Sequence, residues 1–238
     1  MKIISYQCSD ENYFNKELIQ ETFDYMFVQR CPVDNGYDWK FHTEYIKNFA
    51  KIDGLNRWHE EKGLCIVSKE PIEVETYKFK NYAGNNPNQG KHYQITYIDG
   101  IKFINAGISF PDKIIPLEMK ISQVSEVMDL VDDNTILLGD FHVKDSNFSD
   151  ELNLDKRNLM NHVHSNTYQQ IIDDGLYEFS KNKKTIKKRE KVPDEFLWVD
   201  SLDKIITTKK CPFIIEGVKV LNYQSVKRIH FPVSFYVR

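Results

Sequence analysis

The segment Thr135-Ile136-Leu137-Leu138-Gly139-Asp140-Phe141-His142 constrains the fold of this chain more than any other. Three consecutive apolar residues follow the polar Asp132-Asp133-Asn134 and run into a glycine, an acid, an aromatic and a histidine. A run this short, without polar alternation, predicts a strand buried on both faces. Gly139 is expected to let the chain turn at the strand end with no Cβ in the way. Asp140 and His142 are then expected on the rim of a sheet, where a rigid scaffold often presents chemistry.

The elements around this strand follow from period and punctuation. Lys2–Gln7 is rich in β-branched and aromatic residues and predicts an opening strand. Ser9-Asp10 offers an N-cap to a helix over Tyr13–Phe23, with apolar residues at Phe14, Leu18, Ile19 and Phe23. Tyr25-Met26-Phe27-Val28 predicts a second strand, broken by Cys31-Pro32-Val33-Asp34-Asn35-Gly36. A helical stretch is expected at Glu44–Phe49, then strands at Leu64–Ser68 and Val74–Tyr82. Tyr93–Ile98, the Asp99-Gly100 turn and Ile101–Asn105 form the clearest hairpin. Pro116–Val131 predicts a helix with Leu117, Ile121, Val124, Met128 and Val131 on one side. A helix at Asn166–Gly175 and strands at Leu202–Thr207 and Val233–Val237 complete the order. With no internal repeat and no dividing linker, residues 1–238 are expected to form a single α/β domain, two sheets packed together with helices outside.

Composition excludes several classes of function. At 41% apolar and 13% aromatic residues the chain can fill a core, which rules out a disordered protein. A net charge of -3 argues against a generally basic nucleic-acid binder, so any such binding needs a local patch. The stretch Lys181–Lys191 offers one: Lys183, Lys184, Lys187 and Lys188 could track a phosphate backbone, and a solvated loop is the alternative. Cys8, Cys31, Cys65 and Cys211 form no zinc spacing and read as free thiols. The N-terminus does not resemble a signal peptide and no run approaches a membrane span, so a cytoplasmic protein is expected.

Seven short motifs, taken in order, resemble those of the endonuclease/exonuclease/phosphatase superfamily. Lys2–Gln7 is similar to an opening strand that ends Ser-Trp-Asn, and Val28-Gln29-Arg30 to a second strand that ends Leu-Gln-Glu. Gly63–Lys69 with Pro71-Ile72, Phe103–Gly107, Leu138–His142, Ser201–Ile206 and Arg228–Val233 resemble the remaining five. The resemblance implies a DNase I-like four-layer α/β sandwich of two mainly antiparallel sheets, with its site at one end of them. It also implies phosphate-ester hydrolysis by water, with a divalent cation, usually magnesium, held by carboxylates. By this likeness Asp140 works on the attacking water, with His142 where an orienting Asn is usual, and Asp203 pairs with His230.

The same alignment departs from the pattern where the metal belongs. Arg30 stands at the position of the strand-two Glu, and Ile229 at that of the Asp before the last His. Gln7 replaces the strand-one Asn, and Gly107 the middle-strand His or Tyr. Magnesium needs hard oxygen ligands, which neither Arg nor Ile provides, so no metal-binding residue and no resident cofactor are expected. Gln7, Arg30 and Asn105 are instead candidates for phosphate contact. Three readings stay open: a protein with a degraded metal site that binds a phosphate-bearing ligand, nucleic acid or protein partner without efficient hydrolysis; a magnesium-dependent nuclease or phosphodiesterase; and metal-free hydrolysis using Arg30 with the Asp203-His230 pair.

Overall fold

The computed structural model describes residues 1–7, 21–32, 46–49, 62–82, 92–109, 117–141, 203–207, 211–221 and 232–238. Eleven strands in two sheets and one helix lie among these residues. The strands are β1 (Lys2–Gln7), β2 (Tyr25–Pro32), β3 (Ile46–Phe49), β4 (Lys62–Ser68), β5 (Val74–Lys78), β6 (His92–Ile98), β7 (Ile101–Gly107), β8 (Thr135–Asp140), β9 (Asp203–Ile206), β10 (Ile215–Val220) and β11 (Val233–Val237), and the helix is α1 (Leu117–Met128). Sheet one has the order β10-β11-β1-β2-β4-β3 and sheet two β5-β6-β7-β8-β9. Among the described pairs only β1–β2 and β7–β8 are parallel.

Alternation along each central strand builds two cores. Ile3 of β1, Phe27 of β2, Phe103 of β7 and Ile136 and Leu138 of β8 meet between the sheets, joined by Ile66, Ile205, Val233 and Phe235. The intervening residues Ile104, Ala106 and Leu137 pack with Phe141 against Val124, Val127 and Met128 of α1. Burying one such aliphatic or aromatic side chain contributes about 1.5–3 kcal/mol, so a central strand apolar on both faces is pinned between its neighbours. Ile4, Tyr6, Met26 and Val28, on the other face of sheet one, are buried as well. Tyr93 ties sheet two to α1: burial first, then the charge of Glu126, pushes its hydroxyl up to about 12, so it stays a neutral donor.

The turn between β6 and β7 has Asp99 and Gly100 both at positive φ, 52° and 78°, which is the twist a two-residue hairpin needs. The loop before β8 is an Asx turn. Asp132 Oδ1 accepts from Thr135 Oγ1 (2.7 Å) and from the Asn134 amide (3.0 Å), while Lys102 Nζ donates to Asp132 Oδ2 and to the Leu130 carbonyl (2.7 Å).

Three expectations need correction. Glu44–Phe49 is not helical where described, because Ile46–Phe49 pairs antiparallel with β4 from Ile46↔Ser68 to Phe49↔Cys65. Its Ile and Phe suit an edge strand, and long-range pairing overrides local helical spacing. Residues 21–23, at the end of the helix expected over Tyr13–Phe23, are not helical either; the rest of that helix lies outside the described residues. Asp24 is anchored to β1 through its backbone amide to the Lys2 carbonyl (2.9 Å) and its carboxylate to the Lys2 amide (2.7 Å).

Gly139 does not end its strand. β8 continues through Asp140, and Gly139 has φ +147° with its backbone against β7. A Cβ there would sit 1.8 Å from the Ala106 carbonyl oxygen. The glycine is needed for close approach between strands rather than for a turn.

Candidate functional site

The four central strands change character along their length. On the faces that meet between the sheets, Ile3 gives way to Ser5 and Gln7, Phe27 to Gln29, Phe103 to Asn105 and Gly107, and Ile136 and Leu138 to Asp140. Because β1–β2 and β7–β8 each run parallel, these polar residues gather at one end of the sandwich. Gln7 is the register partner of Gln29, and Gly107 that of Asp140. β9 then places Asp203 opposite Asp140.

Two side-chain bridges cross the gap at that end. Gln7 Nε2 donates to Asp140 Oδ2, joining β1 to β8. Gln29 Nε2 donates to Asn105 Oδ1 at 2.7 Å, joining β2 to β7, with longer contacts to the Phe27 carbonyl (3.3 Å) and Ser5 Oγ (3.4 Å). Asn105 Nδ2 donates in turn to Gln94 Oε1 (3.1 Å) and to the Val28 carbonyl (3.3 Å). Asp140 is 1% exposed, and Gln7, Gln29, Gln94 and Asn105 are buried with it.

What these groups leave unused decides what they can meet. The buried side-chain atoms without a partner among the described residues are Gln7 Oε1 and Gln29 Oε1, both acceptors. Both Nδ2 hydrogens of Asn105 are committed. A phosphate, which offers only acceptors when ionised, would therefore find a carboxylate and two carbonyl oxygens here. A positive group has to stand between them.

Of the candidate residues read from sequence, Asp140, Gln7 and Asn105 are brought into this cluster, and β9 sets Asp203 in register with Asp140. Arg30 follows Gln29 on β2, where pairing with β4 shifts register between Val28 and Cys31. β11 begins at Val233 opposite Ser5, so it enters at the end of β1 that carries Gln7. His142, His230, Lys183, Lys184, Lys187 and Lys188 lie outside the described residues. Sequence reasoning missed Gln29 and Gln94 as members of the cluster. The available signal was parity: Gln29 sits two residues after Phe27, and Gln94 pairs with Asn105.

A divalent cation, which the fold family implies, finds suitable donor chemistry. Two orphaned amide oxygens and the Asp140 carboxylate are hard oxygen ligands. The set holds one carboxylate, and among the described residues no three His, Cys, Asp or Glu side chains cluster.

The fold itself is matched throughout. D. rerio TDP2 complexed with a single-strand DNA product superposes with a TM-score of 0.64 at 14% identity, covering 100% of this chain and 98% of that one. An endonuclease/exonuclease/phosphatase family protein from Bacteroides thetaiotaomicron gives 0.61 at 16% identity, with 100% and 97% covered. One from Leptotrichia buccalis gives 0.59 at 14%, with 100% and 99% covered. The fold is that of the endonuclease/exonuclease/phosphatase superfamily. No protein-family model matches the sequence, and no curated protein matches it either. Among the described residues no helix is long and apolar enough to cross a membrane.

Proposed function

We propose that this DNase I-like chain binds a phosphate ester, in a nucleic acid or a smaller ligand, at the polar end of its two sheets without hydrolysing it efficiently. One observation carries the reading. The Asp140 carboxylate, which the fold family would turn toward the attacking water, accepts the Gln7 amide across the sheets. The amide occupies Oδ2, one of the two oxygens that could take a proton from water. Arg30 and Ile229, where metal-binding acids are usual, support the same reading. In it, Arg30 supplies the positive group that phosphate needs, with Asp203 and His230 as a pair beside it.

The test is binding and turnover measured side by side. A labelled single-stranded oligonucleotide should bind with EDTA present and more tightly at pH 6 than at pH 8, because a protonated histidine attracts phosphate. Arg30→Ala should weaken binding. Changing Lys183, Lys184, Lys187 and Lys188 to Gln should flatten its salt dependence if the basic run takes part. Hydrolysis of an activated phosphodiester that rises with magnesium and vanishes in EDTA would replace this reading with that of a magnesium-dependent phosphodiesterase. The orphaned amide oxygens favour that second reading.

A further inference from the structure

The glycines of β7 and β8 need different explanations. Gly139 has one inside the fold: its φ is +147° and a Cβ would meet the Ala106 carbonyl oxygen at 1.8 Å. Gly107, the last residue of β7, has neither reason, because its φ is not positive. Among the described residues a Cβ there would meet only Leu64 Cδ2 at 3.6 Å and Gln29 Cβ at 3.9 Å, both in ordinary contact, with no backbone inside 4 Å. A glycine in a paired strand costs backbone entropy relative to alanine. Where neighbouring backbone does not require it, the remaining use is close approach of a ligand to the chain.

We infer that Gly107 is the floor of a subsite for a flat, uncharged ring, the base of a nucleotide whose phosphate meets the positive group proposed above. Gly107 is the register partner of Asp140 on the face toward the gap, and it is half-buried where Asp140 is fully covered. Solvent therefore reaches β7 directly beside the acid. The atoms nearest the missing side chain, Leu64 Cδ2 from β4 and Gln29 Cβ from β2, are both carbon. They offer an anion no donor, and the Asp140 carboxylate next to them repels one. A second phosphate is disfavoured at this position. An uncharged ring is not: it can lie against backbone that a side chain would otherwise cover, with apolar carbon at its edge. The inference rests on the phosphate-ester reading for what lies beside the ring, and it adds the class of ester, a nucleotide rather than a sugar or alkyl phosphate.

Calorimetric titration of the full chain, with EDTA present, against adenosine monophosphate, ribose phosphate and adenosine provides the test. The parent should bind adenosine monophosphate at least tenfold more tightly than ribose phosphate. Gly107→Ala should cut that preference at least threefold and Gly107→Val should erase it, while ribose phosphate binds all three proteins alike. Melting temperatures show that Gly107→Ala is folded as the parent is, so the result stands even where the larger valine is not tolerated. A single-stranded oligonucleotide and its abasic counterpart run beside these ligands, and the larger preference for the base tells a nucleic-acid strand from a free nucleotide. No preference for the base in either pair would overturn the inference and leave the phosphate-ester reading standing. An equal loss of every ligand in Gly107→Ala would overturn it too. Adenosine carries no phosphate, so adenosine binding that Gly107→Ala weakens would keep the subsite where ribose phosphate fails to bind and the phosphate-ester reading falls.

Discussion

Gln7 on β1 and Asp140 on β8 are 133 residues apart in sequence and share a hydrogen bond across the gap between the two sheets. The bond couples the opening strand to the strand that carries the buried acid, so position 7 ties the packing of the two sheets to that acid.

Gln7→Leu should therefore cost about 1.5–3 kcal/mol in denaturant unfolding, the usual worth of a hydrogen bond to a charged group. The double variant Gln7→Leu with Asp140→Leu should cost less than the sum of the two single changes, because no buried carboxylate is left without its amide. Additive losses would show that the bridge does not form.

Two glycines on neighbouring strands make opposite predictions. At Gly139 a Cβ would meet the Ala106 carbonyl at 1.8 Å, and the backbone lies at positive φ. Gly139→Ala should lose about 3 kcal/mol or fail to fold. At Gly107 a Cβ would lie 3.6 Å from Leu64 Cδ2 and 3.9 Å from Gln29 Cβ, which is ordinary contact. Gly107→Ala should stay within about 0.5 kcal/mol of the parent. Thermal melts of the pair, recorded together, separate a glycine required by close approach from one that is merely present.

How much of this was legible depends on whether the cause was local. The β6–β7 hairpin could be read because Asp99-Gly100 carries its own turn chemistry, and β11 because Val233–Val237 is bounded by Pro232. β3 could not, since four residues become a strand only by pairing with β4. β10 was hidden by Gly217, which at φ +64° lies under the Tyr236 ring beside a register shift. Asp140 was found through its motif, but its burial was not, because the amide that meets it comes from β1 in the other sheet. A glutamine inside a strand reads as facing outward until the partner sheet is in place.

The Asx turn before β8 should make stability depend on acid. Burial raises the Asp132 pKa, but hydrogen bonds from Lys102 and Thr135, the Asn134 amide and the Lys102 charge outweigh it, so the carboxyl titrates below its ordinary 3.8. A folded-state pKa below the unfolded one contributes stability above the unfolded value, and the contribution is lost as pH falls through the folded value. Asp132 is 59% exposed, so solvent screening holds the ion-pair part to at most about 1 kcal/mol. Asp132→Asn should be less stable than the parent by a constant margin from pH 5 to pH 7. Below about pH 4 the two urea midpoints should converge, and a margin that persists at pH 2 would assign the effect to packing.

The sharpest prediction concerns Arg30 and Ile229, where the family likeness expects acids. Arg30 directly follows Gln29, whose amide is fixed by Asn105, at the point where β2 slips register against β4. Ile229 precedes His230 and the strand that enters opposite Ser5. Replacing both by acids, Arg30→Glu with Ile229→Asp, removes one cation and restores the two carboxylates that the family likeness expects at these positions. Magnesium affinity rises with carboxylate ligands, so the double variant should bind magnesium at least tenfold more tightly than the parent in calorimetry. If the remaining groups are competent, it should also gain EDTA-sensitive phosphodiester hydrolysis that Asp140→Asn abolishes. Tighter magnesium without turnover would mean that Gln7 still holds Asp140 away from water, and adding Gln7→Asn, one methylene shorter, should then release it. A parent that already binds magnesium as tightly as the double variant would mean that the acids at 30 and 229 were never the missing ligands, and the reading of a degraded site would have to be abandoned.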